Sequence, residues 1–194
     1  MERPQALHTR ADDNLRFIRD TMSKAAQFTA IPGWGGVAMG VTAVVAAGLI
    51  SRETDSRRWM AWWFGEAAVA MAIGALTMTW KMTRLNQPLL AAPAKRFALA
   101  YVPPLAAGAI LTPVFFTNGL ASRLPGCWLL LYGVAIATAG TLSVRVVQAM
   151  GLVFMAAGAA SFLAPASYGD LFMAAGFGGL HILFGLIIAR KHGG

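Results

Sequence analysis

Long apolar runs alternate with short polar segments along this chain, occupying 31–50, 59–80, 97–117, 126–143, 146–164 and 169–189. Each is close to the roughly 20 residues a helix needs to cross a hydrocarbon layer about 30 Å thick. None has the period-two alternation or the ~10-residue length of a membrane β-strand. The pattern predicts an all-α, polytopic bundle of six transmembrane helices. It consists of a 1–30 N-terminal segment, a 31–189 transmembrane domain and a 190–194 tail. Only Val144 and Arg145 separate the fourth and fifth runs, so a re-entrant hairpin is the alternative there.

A different period marks the segment ahead of the first run. At ~100° per residue, Leu15, Phe17, Ile18, Met22, Ala25 and Phe28 fall on one arc, and Asp12, Arg16, Arg19, Asp20, Ser23, Lys24 and Gln27 take the other. This predicts an amphipathic cytoplasmic helix over 12–28. Its acidic and basic residues nearly balance, so lipid charge alone does not call for it. Two uses remain open: a helix lying on the interface or packed under the bundle, or a docking face for a partner formed by Leu15, Phe17, Ile18, Met22 and Phe28.

Composition narrows the class. Hydrophobic residues make up 57% of the 194 and charged ones 12%, about half the charged share of a soluble domain. The net charge of +8 resides in Lys and Arg beside the apolar runs. Nucleic acid is therefore not an expected partner; the lipid bilayer and its anionic headgroups at the cytoplasmic face are, and a homo-oligomer is left open. Basic residues also orient the chain. Arg3, Arg10, Arg16, Arg19, Lys24, Lys81, Arg84, Lys95, Arg96, Arg145, Arg190 and Lys191 lie on one side, against Arg52, Arg57, Arg58 and Arg123 on the other. Positive-inside bias then predicts both termini in the cytoplasm. Residues 1–30 are polar, so the first apolar run is expected to act as its own insertion signal. Trp34, Trp59, Trp62, Trp63, Trp80 and Trp128 cluster near run ends, as interfacial anchors do. One cysteine, Cys127, precludes a disulfide within the chain and reads as packing.

Polar residues inside the runs are the candidates for chemistry. Glu66 lies seven residues, ~10 Å, into the second run. An intramembrane carboxyl is costly, so it reads either as a proton- or cation-binding group or as a hydrogen-bonded tie between helices. Ala70, Gly74, Thr77 and Lys81 share its face, making Thr77 a second polar candidate. His181, mid-way along the last run, sits with Ala174, Gly178 and Gly185 on a small-residue face and reads as a hydrogen-bonded packing residue or a second contact for the same ion. No other run contains a histidine to complete a haem, so no cofactor or metal is expected. Pro103, Pro104 and Pro113 fall inside the third run, where they release the carbonyls of Leu99, Ala100 and Ala109. They are helix-break candidates that either kink the helix or line a cavity. Asp170, at the start of the last run, is placed to cap it. No second acid, histidine pair or nucleophile with a base occurs at helical spacing, so an enzyme is not expected.

An offset of 93 residues aligns Pro32 with Pro125, Gly33 with Gly126, Gly40 with Gly133, Val41 with Val134, Ala46 with Ala139 and Leu49 with Leu142, a pattern that either arises by chance or marks two inverted halves. The segments Asp13-Asn14-Leu15-Arg16-Phe17-Ile18-Arg19, Pro32-Gly33-Trp34-Gly35 and Gly176-Phe177-Gly178-Gly179-Leu180-His181-Ile182 resemble an uncharacterised family of small six-helix bacterial inner-membrane proteins. That resemblance implies a bacterial inner membrane and a small stand-alone protein, and brings no activity with it. Two functions are compatible with these features: an ion-coupled small-solute carrier or channel built on Glu66, or a non-catalytic sensor or assembly module that docks a cytoplasmic partner.

Overall fold

Capping chemistry sets the helix limits. In the computed structural model, which describes residues 13–19, 22, 28–88 and 91–193, six long helices follow the six apolar runs. These are α1 (Gly33–Ile50), α2 (Ser56–Arg84), α3 (Ala92–Thr117), α4 (Leu124–Gly140), α5 (Arg145–Leu163) and α6, which runs through Gly169–Met173, Ala174–Leu180 and His181–His192. All six are long and apolar enough to cross a membrane, the fourth and sixth together with the short 3-10 turns that precede them. No strand occurs among the described residues.

Asp55 opens α2 by accepting from the amides of Arg57 at 2.8 Å and Arg58 at 3.2 Å. Those two bonds, the one from Arg57 first, hold its carboxyl below the usual carboxylate range. Pro93 and Pro125 sit in the first turns of α3 and α4, where a missing N–H costs nothing. Two helices end on the same double closure. Gln87 and Asn86 donate to Met82 and Thr83 after α2, and Leu120 and Gly119 donate to Phe115 and Phe116 after α3. Each closure needs a left-handed residue, supplied by Asn86 (φ 51°) and Gly119 (φ 73°).

The 29 residues of α2 span about 43 Å. This is longer than the expected run at both ends, because the cap at Asp55 and the polar turn Lys81–Arg84 continue the helix past its apolar part. Where a re-entrant hairpin is the alternative, α4 and α5 are helices of 17 and 19 residues, each within a stretch long and apolar enough to cross a membrane. Their close approach comes from glycine. A methyl group on Gly133 would fall 2.5 Å from the Met155 nitrogen, and one on Gly158 would fall 2.5 Å from the Leu130 nitrogen. The α1–α6 pair is built the same way, with Gly40 against Gly178 and Ile182, and Gly185 against Val37.

Helices α1, α4, α5 and α6 form the packed centre, whereas α2 leans mainly on α1 and α3 mainly on α4. Only 6% of the most apolar window of α2 is buried, and 11% of that of α3, so both turn wide apolar faces outward. The 93-residue alignment does not survive in the packing. Gly33 and Gly40 face α6, but their counterparts Gly126 and Gly133 face α5, so matched residues meet unmatched neighbours.

Helix α3 runs unbroken from Ala92 to Thr117 through Pro103, Pro104 and Pro113, which corrects their reading as helix breaks. The carbonyl of Ala100, released by Pro104, lies 3.0 Å from the Thr138 hydroxyl of α4, which also faces the Val134 carbonyl at 2.7 Å. A neighbouring helix therefore supplies part of what the proline removes. Beside Pro113 lies a small recess of about 190 Å³ between α2 and α3.

At the N-terminal side, residues 13–19 are helical, and Leu15, Ile18 and Met22 are exposed, as is Phe17. Asp12, Asp20, Ser23, Lys24, Ala25 and Gln27 of the predicted helix lie outside the described residues. Phe28 is a correction. It is 2% exposed, its ring lies 4.8 Å from that of Phe97, and its backbone bonds to Leu142 and Ser143 in the α4–α5 turn. Its ring is packed within the bundle and is not part of the exposed set formed by Leu15, Ile18 and Met22.

Candidate functional site

Glu66 is carried by the face of α2 that rests on α1, ten residues or about 15 Å from the start of the helix. Opposite stands Thr42, nine residues into α1 and so near its middle. Its hydroxyl oxygen lies 2.8 Å from Glu66 Oε1 and 2.8 Å from the Met39 carbonyl. A hydroxyl has one proton to donate. An ionised Glu66 must compete with Met39 for it, whereas a protonated Glu66 donates to Thr42 while Thr42 donates to Met39. Two full hydrogen bonds therefore form only with the carboxyl protonated.

Around this pair lies an open groove of about 670 Å³ between α1 and α2. Val41, Val45, Leu49 and Val69 make its walls apolar, the exposed indole of Trp62 forms one side, and Arg58 stands at the end nearer the start of α2. Gly65 beside Glu66 leaves open space, since a methyl group there would meet nothing within 4 Å. The groove faces outward because α2 has α1 as its main support.

The other candidates do not join Glu66. Thr77 is eleven residues along α2, and its hydroxyl donates back to the Ile73 carbonyl at 2.6 Å. It packs against Gly35 of α1 and spaces the two helices. His181 belongs to the packed centre, 5% exposed, with Tyr132, Phe154 and Phe177 around it. Nδ1 lies 2.9 Å from the Phe177 carbonyl, which can only accept, so Nδ1 carries the hydrogen. Nε2 then accepts from the Tyr132 hydroxyl at 2.6 Å. Both ring nitrogens are thereby used within the core. Phe177 sits in the π-helical stretch Ala174–Leu180, where Gly176, Gly178 and Gly179 weaken the preference for α winding.

Three further polar residues act as ties between helices. Lys81 is 7% exposed, and its ammonium donates to the carbonyls of Ile31 (2.9 Å), His192 (3.0 Å) and Gly193 (2.6 Å). It uses all three donors to join the C-terminal end of α2 to the entry of α1 and the negative end of α6. Asp170 makes no capping bond; it accepts from the Trp59 indole at 2.6 Å and so ties α2 to α6. Trp59 stacks on Trp128, with Trp63 beside it and buried, while Trp34, Trp62 and Trp80 are exposed as anchors would be. Cys127 is buried. Among the described residues, no group of three or more His, Cys, Asp or Glu side chains converges as a metal site would.

Thr42, Tyr132 and the triple bonding of Lys81 were not anticipated from the sequence. Thr42 carried one legible signal: it is the only hydroxyl residue within Gly33–Ile50. No family model matches the chain, and neither does any curated protein or solved structure.

Proposed function

We propose that the chain is a multi-pass protein of the bacterial inner membrane with both termini cytoplasmic, acting as an ion-coupled carrier or channel for a small solute through Glu66. The observation that carries this reading is the Glu66–Thr42 pair: a carboxyl about 15 Å into α2, in contact with a single hydroxyl, lining an open groove. A carboxyl serving only as a tie would gain from being enclosed. This one is left accessible, on a helix whose main packing partner along its length is one neighbour. Reconstituted into sealed vesicles with an imposed pH gradient, the intact protein should dissipate the gradient, and Glu66→Gln should reduce the rate at least tenfold. Absence of flux for protons and common monovalent cations in both would refute the reading.

The exposure of Leu15, Ile18 and Met22, at 62%, 52% and 68%, favours a second reading, a membrane module that docks a cytoplasmic partner through this helix. Crosslinking in native membranes from positions 15, 18 and 22 tests it; capture of lipid alone would exclude it.

A further inference from the structure

We propose that the groove between α1 and α2 binds a lipophilic organic monocation, which displaces a proton from Glu66. The inference rests on reading Glu66 as an ion-handling group and names the ion. A bare alkali or alkaline-earth cation needs about six oxygen ligands in place of its water shell. The groove offers the Glu66 carboxyl and the Thr42 hydroxyl, and the carbonyls of both helices are engaged in helical bonds. An organic cation has no such requirement, because its charge is spread over a shell of apolar groups. The walls suit that shell: Val41, Val45, Leu49 and Val69 are apolar, and the exposed face of Trp62 attracts a cation or stacks on an aromatic body. At about 670 Å³ the groove has room for a small molecule, one side of which stays on the open face. The outward opening admits a ligand dissolved in the hydrocarbon.

Charge limits the ligand to one positive group. Helix α1 carries no ionisable residue, and Arg58, about 12 Å from Glu66 by helical rise, is the other charged residue of the groove. Arg57, Lys81 and Arg84 lie at the ends of α2. A second cationic centre would meet Arg58 and be repelled. Exchange balances one for one: the Glu66 O–H bond breaks, the proton leaves to water, and the carboxylate formed pairs with the incoming cation.

Tetraphenylphosphonium, a permanent cation with no proton of its own, is a suitable probe for the full-length protein in lipid nanodiscs. Binding followed by tryptophan fluorescence should saturate and tighten up to tenfold per pH unit while Glu66 is protonated, and calorimetry in two buffers of different ionisation enthalpy should show about one proton released per cation there. Glu66→Gln should weaken binding at least tenfold and remove its pH dependence. Equal binding by Glu66→Gln, equal binding of neutral triphenylphosphine oxide, or no proton release from the intact protein between pH 5 and 9 would overturn the proposal and leave the groove a seat for acyl chains. If vesicles show Glu66-dependent proton flux but no cation binds, the ligand assignment fails and the carrier stands. If the cation binds through Glu66 with no flux, the ligand assignment stands and the carrier fails.

Discussion

Substituting alanine at Gly133 places a methyl carbon 2.5 Å from the Met155 nitrogen and 2.8 Å from the Gly151 carbonyl oxygen. Ordinary contact begins near 3.4 Å, so α4 and α5 must part by about 0.9 Å at that level, and the obstacle is backbone that no rotamer change removes. Gly158→Ala does the same one helical repeat away, 2.5 Å from the Leu130 nitrogen. Overpacking of this kind costs about 1–3 kcal/mol. Alanine simultaneously gains about 0.5–1 kcal/mol over glycine within a helix, so the net loss should be about 0–2.5 kcal/mol, centred on about 1 kcal/mol. Gly48 and Gly65 provide the internal control. They too lie inside helices, but a methyl group at either meets nothing within 4 Å, so alanine there should be neutral or stabilising by about 0.5 kcal/mol. Reversible unfolding by sodium dodecyl sulfate from mixed micelles, followed by circular dichroism, gives the four free energies. The reasoning fails if Gly133→Ala and Gly158→Ala are as stable as Gly48→Ala and Gly65→Ala.

Three further outcomes follow from individual bonds. Lys81→Met removes three charge-assisted bonds where the start of α1 and the C-terminal ends of α2 and α6 meet. It should cost about 3 kcal/mol in the same unfolding assay and expose the segment after Ile188 to proteolysis; intact resistance to a protease in detergent would contradict the tie. Tyr132→Phe strips His181 Nε2 of its donor and should cost about 1–3 kcal/mol, whereas adding His181→Leu should cost less than the sum of the two single changes. Strict additivity in that cycle would show the pair to be uncoupled. Asp55 has a carboxyl held low by amide bonds, so its stabilising effect is present above the unfolded-state value and disappears as pH falls through the folded one. The stability gap between the parent protein and Asp55→Ala should therefore be widest at neutral pH and close on acidification below about pH 4, and a gap constant across that range would refute the cap.

What the sequence could reveal was local. The run 146–164 became α5 within a residue at each end, because Arg145 and the Ala164–Pro165 pair bound it chemically as well as by hydropathy. The second run was read too short, since hydropathy fades at Arg57 and Lys81 while the helix continues through its caps at both ends. Proline shows the opposite limit. Counting lost N–H groups predicts a kink or a cavity wall in α3; the helix is continuous, and the Ala100 carbonyl meets a hydroxyl supplied by α4, which no inspection of 97–117 alone could reveal.

The same asymmetry governs the site. Glu66 stands out in the sequence because a carboxyl in an apolar run is costly wherever it faces, and that argument needs no partner. Its partner does not stand out, because Thr42 lies 24 residues away in another helix and a lone hydroxyl in such a helix usually bonds to its own preceding carbonyl, as Thr77 does. Thr42 differs in facing both acceptors at once, and that follows from how far the Gly35–Thr77 and Gly74–Met39 contacts let α1 and α2 approach. His181 shows the converse: its type and its small-residue face suggest a hydrogen-bonded packing residue or a second contact for the same ion, and Tyr132 and Phe177 occupy both its nitrogens. Residue type thus identifies which groups require a partner, while helix spacing decides which partner each receives. In this bundle the spacing assigns the histidine to the core and leaves the carboxyl facing a groove, with one hydroxyl and a space of about 670 Å³ beside it.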